Sequence, residues 1–290
     1  MLCGLVFVQI ADEQIEMEST PTFLNPPVVE FVLGVQFSPL ADFTSAHFGL
    51  FWNQLNVESA QWTISSDAPL IEDTFELFSA PLWKQPRNLQ FRLESAPRTG
   101  RIRFENETRD RMVQIQPTRF HLNWRKTVGL KPSYKSLISE FESYFAEFCR
   151  FCTDHHLGAV APNQWEITYV DSFPAGEYWE SPADWNLVLP GLFSGLFGRT
   201  DLPLQLEQRS AEWSFEITPQ AGRLHISAQA GRWAWDERDT LLLNMTARGP
   251  IEDGKVSTVR EGLDIGHRVS VDTFLRIASP DFQHRWGPQV

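Results

Sequence analysis

One stretch limits the architecture more than any other. Residues 133–156, SYKSLISEFESYFAEFCRFCTDHH, carry an apolar stripe through Leu137, Phe141, Tyr144/Phe145, Phe148 and Cys152. Steps of three and four residues place these side chains on one face of an α-helix. Pro132 and Ser133 supply a start with an N-terminal cap, and Gly158 lies where a C-terminal cap is expected. A helix with one apolar face has to be laid on a second layer.

The chain offers that layer on both sides. Upstream, 89–93, 101–105, 111–116 and 119–125 read as an antiparallel meander with turns at Gly100, 107–110 and Pro117-Thr118. Successive strand side chains point to opposite faces, so RIRFE sends Ile102 and Phe104 one way and Arg101, Arg103 and Glu105 the other. In RFHLNWR, Phe120, Leu122 and Trp124 separate in the same way from Arg119, His121, Asn123 and Arg125. Ahead of the meander, 28–37 predicts a buried strand, and Asp42 or Thr44 caps a helix with Phe43, His47/Phe48, Phe51/Trp52 and Leu55 on one side. Residues 56–86 read mostly as connection.

Downstream the order recurs. A strand is predicted over 164–173, partial helix over 181–197, strands over 204–217, 223–229 and 240–248, and a closing helix over 262–286 broken near Pro280. The expected fold is therefore α+β: an antiparallel sheet with helices on one face, in two similar halves, 28–158 and 159–290, packed as one unit. No residue-level repeat accompanies that order. In outline the arrangement is similar to the TATA-binding protein, a likeness of fold alone. Residues 1–27 are expected to be a poorly ordered extension.

With 290 residues, 42% apolar and 13% aromatic, the chain can fill a sizeable core. Its formal charge of −12 argues against coating nucleic acid or an anionic membrane by net charge. The charge is uneven: residues 92–135 hold eleven Lys or Arg against four acids, a local +7 that leaves −19 elsewhere. Eleven tryptophans and 22 phenylalanines hint at a buried interface. Three cysteines make no disulfide framework, which points to a reducing cytoplasm. MLCGLVFVQIADEQ lacks the basic start of a signal peptide and is too short to span a bilayer, so no membrane partner is expected. Met17 opens a more ordinary start, and residues 1–16 read as an upstream extension or a misassigned start.

Several groups of side chains invite a chemical reading. Cys149, Cys152 and His156 fall at i, i+3 and i+7, and thiolates with imidazole suit zinc. No second ligand pair completes the set, and Cys152 continues the apolar stripe, so core cysteines with solvated His155 and His156 are expected. Asp264 and His267 lie three apart, with Asp272 and His284 following, a weak metal candidate beside a simple orienting pair. Gly191, Ser194, Gly195 and Gly198 match neither a nucleophile elbow nor a phosphate loop. Acid pairs such as Glu177 with Glu180, or Asp171 with Asp184, are too ordinary among 37 acids to nominate a general acid and base.

The polar sheet face carries the strongest signal. It would present Arg101, Arg103, Gln114, Gln116, Arg119, His121, Asn123 and Arg125, with Arg223, His225, Ser227, Gln229, Asn244, Thr246 and Arg248 from the second half. Arginine with amide side chains can contact phosphates and base edges. Arg101, Arg103, Arg119, His121, Asn123 and Arg125 are therefore the candidate nucleic-acid-binding residues, and a site is expected on the face away from the helices.

NPPVVEFVLGVQFSPL, VQIQPTRFHLNWRK, EITYVDSF and LDIGHRVSVDTFLRIASPDFQHRWG, in that order over 25–290, resemble a sporadically distributed family of uncharacterised bacterial proteins. The closing His267, Phe274, His284 and Trp286-Gly287 pattern is the most specific part. Where that family reads Arg-Tyr followed shortly by Asn, this chain has Thr168-Tyr169-Val170-Asp171. The resemblance implies a bacterial cytoplasmic protein of about this length and supplies no activity. The expected function is non-catalytic binding of a protein partner or a second copy, without a cofactor. Nucleic-acid or nucleotide binding through the arginine face is the alternative, and a metal-dependent enzyme using the Asp and His residues of the closing segment is third.

Overall fold

The computed structural model describes residues 22–79, 82, 99–127, 131–193, 206–232, 237–252 and 255–289. In chain order the elements are β1 (Thr22–Phe23), β2 (Val28–Phe37), α1 (Ser45–Ser59), β3 (Ile64–Pro69), β4 (Thr99–Glu105), β5 (Arg111–Gln116), β6 (Arg119–Arg125), α2 (Tyr134–Asp154) and β7 (Pro162–Pro174). A 3₁₀ turn at Pro182–Asp184 leads into α3 (Trp185–Val188), followed by β8 (Ser210–Ile217), β9 (Gly222–Arg232), β10 (Asp239–Pro250), α4 (Val259–Ile277), α5 (Pro280–Arg285) and β11 (Pro288–Gln289). Nine strands form one antiparallel sheet in the order β3-β4-β5-β6-β2-β7-β10-β9-β8, so the fold is mixed α/β with helices against an antiparallel sheet.

The alternation of the meander sets the two layers. Phe120, Leu122 and Trp124 are buried toward the helices, and Phe120 packs against Phe141, Phe145 and Phe148 of α2. Phe51 of α1 closes on Phe148 and Phe151. Each such phenylalanine contributes about 1.5 to 3 kcal/mol of burial. Beyond β2 the cover is α4, which lies against β7 and β10. It approaches closely because Gly266 faces the sheet: a Cβ there would sit 2.5 Å from Ile167 Cγ2.

Most predicted elements fall in place, and the differences have physical reasons. β3 lies in a stretch read as connection. Among the described residues it is an edge strand paired only with β4 and mostly exposed, so no alternation marks ISSDAP. α2 ends sooner than expected: His156 takes the first left-handed turn, with φ 57° and the Leu157 N–H donating to the Cys152 carbonyl, and Gly158 follows with φ 97°. The predicted strand 89–93 and most of the glycine loop, 194–200, lie outside the described residues. So do residues 1–21. Residues 22–25 are already tied down, β1 pairing with β11 and the Leu24 and Asn25 amides donating to the carbonyls of Gly287 and Trp286.

Candidate functional site

The predicted polar face forms, and the chain itself lies across it. Leaving β3, residues 70–79 form a strap that crosses the strands in sheet order. Gln116 of β5 accepts from the Ile71 N–H at 3.0 Å and donates to the Ile71 carbonyl at 2.9 Å, replacing the partners a neighbouring strand would give. Arg119 of β6 donates to the Glu72 carbonyl at 2.7 Å, and Gln36 of β2 accepts from the Thr74 N–H at 2.9 Å. Gln164 of β7 takes the Glu76 N–H at 3.4 Å. The Glu76 carboxylate then accepts from Arg223 at 2.6 Å and Arg248 at 2.6 Å and pairs with His225 at 2.7 Å. Arg223 also donates to the Leu77 carbonyl and lies over the Phe78 ring.

Glu76 is 6% exposed. Burial pushes its carboxyl up, but hydrogen bonds from His225, Arg223 and Arg248 outweigh that and hold it at about 2. It is a fully partnered buried charge.

Of the predicted binding residues, Arg119, His121 and Asn123 are 4%, 4% and 3% exposed. His121 packs against Gly34, and burial brings its imidazole down to about 4, so it is neutral. Asn123 joins Gln114 to Glu30. Arg101 donates to the Pro69 carbonyl and to Gln114, and Arg125 pairs with Glu30 at 3.2 Å and Glu105 at 3.7 Å. Arg101, Arg103 and Arg125 are half-buried. The sheet gathers the six residues as the alternation predicted, under or beside the strap.

An open charged concavity lies instead on the helix side, where β2, β7 and β10 meet α4 and the start of α2. This cleft has a volume of about 300 Å³. Its walls include Phe23, Val28, Met245, Val271 and Phe274, and its polar residues include Lys131, Tyr134, Tyr169, Asp171 and His267. Asp171 is there because β7 runs Trp165, Ile167, Tyr169, Asp171, Phe173 along its helix-facing phase, which sets one carboxyl among buried rings. Asp171 is 4% exposed, and burial raises its pKa to about 7, against the pull of Lys131.

The Lys131 ammonium lies 5.4 Å from the Tyr169 ring centre and 6.0 Å from that of Phe31. Burial lowers its pKa, with Asp171 opposing. Lys131 and Asp171 feel each other's charge, yet no ion pair within 4.0 Å joins them among the described residues. Ser270 Oγ is buried without a hydrogen-bond partner.

The aromatic side of the cleft is pinned. Tyr169 Oη and His267 Nδ1 are 2.6 Å apart, His267 stacks on Tyr134 at 3.9 Å, and Tyr134 donates to Asp264 at 2.7 Å. Burial, then the Lys131 charge, lowers His267 to about 4, while burial raises Tyr169, so the contact joins a protonated phenol and a neutral imidazole.

The weak metal candidates do not assemble. Cys149 is half-buried and Cys152 fully buried, and burial raises both thiols, Cys152 to about 12. Asp264 and His267 each bind a different tyrosine. No cluster of three or more His, Cys, Asp or Glu arranged for a metal ion occurs among the described residues. Of the acid pairs, Asp184 accepts from the Ser181 and Glu180 amides and shapes the turn before α3. No described helix is long and apolar enough to cross a membrane.

Comparison of the chain with protein-family models and with curated proteins finds no match. Sequence reasoning missed Glu76, which sits in an unpatterned connection, and it missed Lys131 and Ser270. Asp171 carried a readable signal: an acid in the apolar phase of an alternating strand.

Proposed function

We propose that the chain is a non-catalytic binding protein whose ligand seat is the cleft between α4, the start of α2 and strands β2, β7 and β10. One observation carries this reading: a buried carboxyl, Asp171, and a desolvated ammonium, Lys131, line one cavity without closing on each other. Folded proteins satisfy buried polar groups, and exceptions gather where a ligand completes them. The volume is at the small end of ligand pockets, and the apolar walls with few convergent polar groups match their usual make-up.

The architecture belongs to the same proposal. We read 28–158 and 159–290 as two copies of one plan in the manner of the TATA-binding protein, meeting at the β2–β7 pair. Support comes from the mirrored orders β2-β6-β5-β4 and β7-β10-β9-β8 on either side of that pair. Nucleic-acid binding on the arginine face ranks lower, because Arg119, Arg223 and Arg248 are engaged by residues 72–77. Membership of the sporadically distributed bacterial family, and with it a cytoplasmic setting, rests on the ordered motifs alone.

A thermal-shift screen of small amphipathic metabolites tests the cleft reading. Hits with the unaltered chain should vanish in Val271→Trp, which fills the cleft from α4. No hits, or hits indifferent to Val271→Trp, would overturn it.

A further inference from the structure

We infer that the cleft ligand is a small zwitterion of the amino-acid class: a carboxylate for Lys131, an ammonium for Asp171 and an apolar body against Phe23, Met245 and Phe274. This deepens the cleft reading and rests on it. A desolvated Lys and a buried Asp free to meet would close an ion pair, because isolated buried charges are costly. Here both line one cavity and do not come within 4.0 Å.

Each has something holding it in place. Lys131 lies over the Tyr169 and Phe31 faces, and Asp171 stands on β7 at the rung opposite Val28 of β2. A ligand with one charge would satisfy one residue and strand the other. A ligand whose ammonium and carboxylate sit on one carbon supplies both partners in opposite order.

The remaining groups fit the same body. Met245 and Phe274 line the cleft beside Lys131 and Asp171 and give an apolar side chain its contact surface. Tyr134, His267 and Tyr169 form a rigid aromatic wall, fixed through Asp264, that a flat or branched apolar side chain would cover. A volume of about 300 Å³ admits a free amino acid and leaves no room for a long peptide.

The test is calorimetric titration of the full chain with the twenty free amino acids, followed for the best binder by its amine (carboxylate removed) and its acid (ammonium removed). The expected result is one-to-one binding of one or more apolar amino acids, with amine and acid each at least about tenfold weaker, the loss of one good charge-assisted contact. Lys131→Met should remove preference for the carboxylate, and Asp171→Asn preference for the ammonium. If the amine or the acid binds as tightly as the amino acid, and Val271→Trp abolishes it, the cleft reading stands and the zwitterion is wrong. If no amino acid binds at millimolar concentration, the zwitterion is also wrong. The ligand series uses the unaltered chain, so it decides between these outcomes even where a variant fails to fold.

Discussion

Two carboxylates lie buried on opposite faces of the same sheet. Glu76 enters the polar face on the strap and meets Arg223, His225 and Arg248, each at 2.7 Å or less. Asp171 enters the helix face on β7 and meets a cavity, with Lys131 near but not touching. Burial disfavours both charges. The hydrogen bonds win at Glu76, bringing it to about 2, and burial wins at Asp171, bringing it to about 7. Density of charge is thus a poor guide to function here. The arginine-rich face has its carboxylate and most of its arginine donors paired from within, with only Arg103 Nε, Arg119 Nε and His121 Nε2 buried without a hydrogen bond among the described residues, while the sparsely charged cleft holds a carboxyl and an ammonium that do not pair.

The largest effect expected from breaking that contrast is at Glu76. Glu76→Gln leaves Arg223 buried without its anion, and removing one member of a buried pair typically costs about 3 to 5 kcal/mol. Chemical denaturation should show that loss; under about 1 kcal/mol would mean that the strap does not hold the face. Asp171→Asn, equally conservative and equally buried, should be neutral or stabilising at pH 8, since it removes an unpaired buried carboxylate.

The pH dependence of stability should separate the two with opposite signs. At Glu76 the folded pKa is depressed below 4.5, so its stabilisation is full above pH 4.5 and is lost as pH falls through about 2. Wild type and Glu76→Gln should converge over that window. At Asp171 the folded pKa is raised above 3.8, so its favourable contribution is full below pH 3.8 and is lost as pH rises through about 7. Relative to Asp171→Asn, wild type should weaken between about pH 4 and 7 and then level off. Parallel curves for the two variants would contradict the contrast.

Smaller changes refine it. Gly266→Ala forces a Cβ onto Ile167 and should cost about 1 to 3 kcal/mol, reshaping the cleft while sparing the strap. Arg125→Gln, at the edge of the polar face with half-exposed acid partners, should cost only about 0.2 to 1 kcal/mol. A loss as large as that at Glu76 would show that the edge, not the strap, anchors the face.

The strands and helices were legible because burial on one face stamps a period on the sequence: 28–37, 111–116 and 119–125 coincide with β2, β5 and β6. β3 was not, because an exposed edge stamps nothing. Alternation also grouped Arg101, Arg119, Asn123 and Arg125 on one face, but it could not say what covers them. The strap binds through backbone amides and carbonyls to Gln116, Gln36 and Gln164, contacts to which the strap's own side chains contribute nothing. Glu76 therefore looked like any of 37 acids. The cleft needed both halves to be placed, since Lys131 and Asp171 are forty residues apart and Ser270 is farther still.

The contrast between the two faces can be read directly by titrating both carboxyls by carbon-13 NMR in the full chain, assigning them with Glu76→Gln and Asp171→Asn. Glu76 should titrate near 2 and Asp171 near 7, one partnered and one waiting. Asp171 titrating in the ordinary range near 4, as a carboxylate closed on Lys131 would, contradicts a cleft with unmet charges.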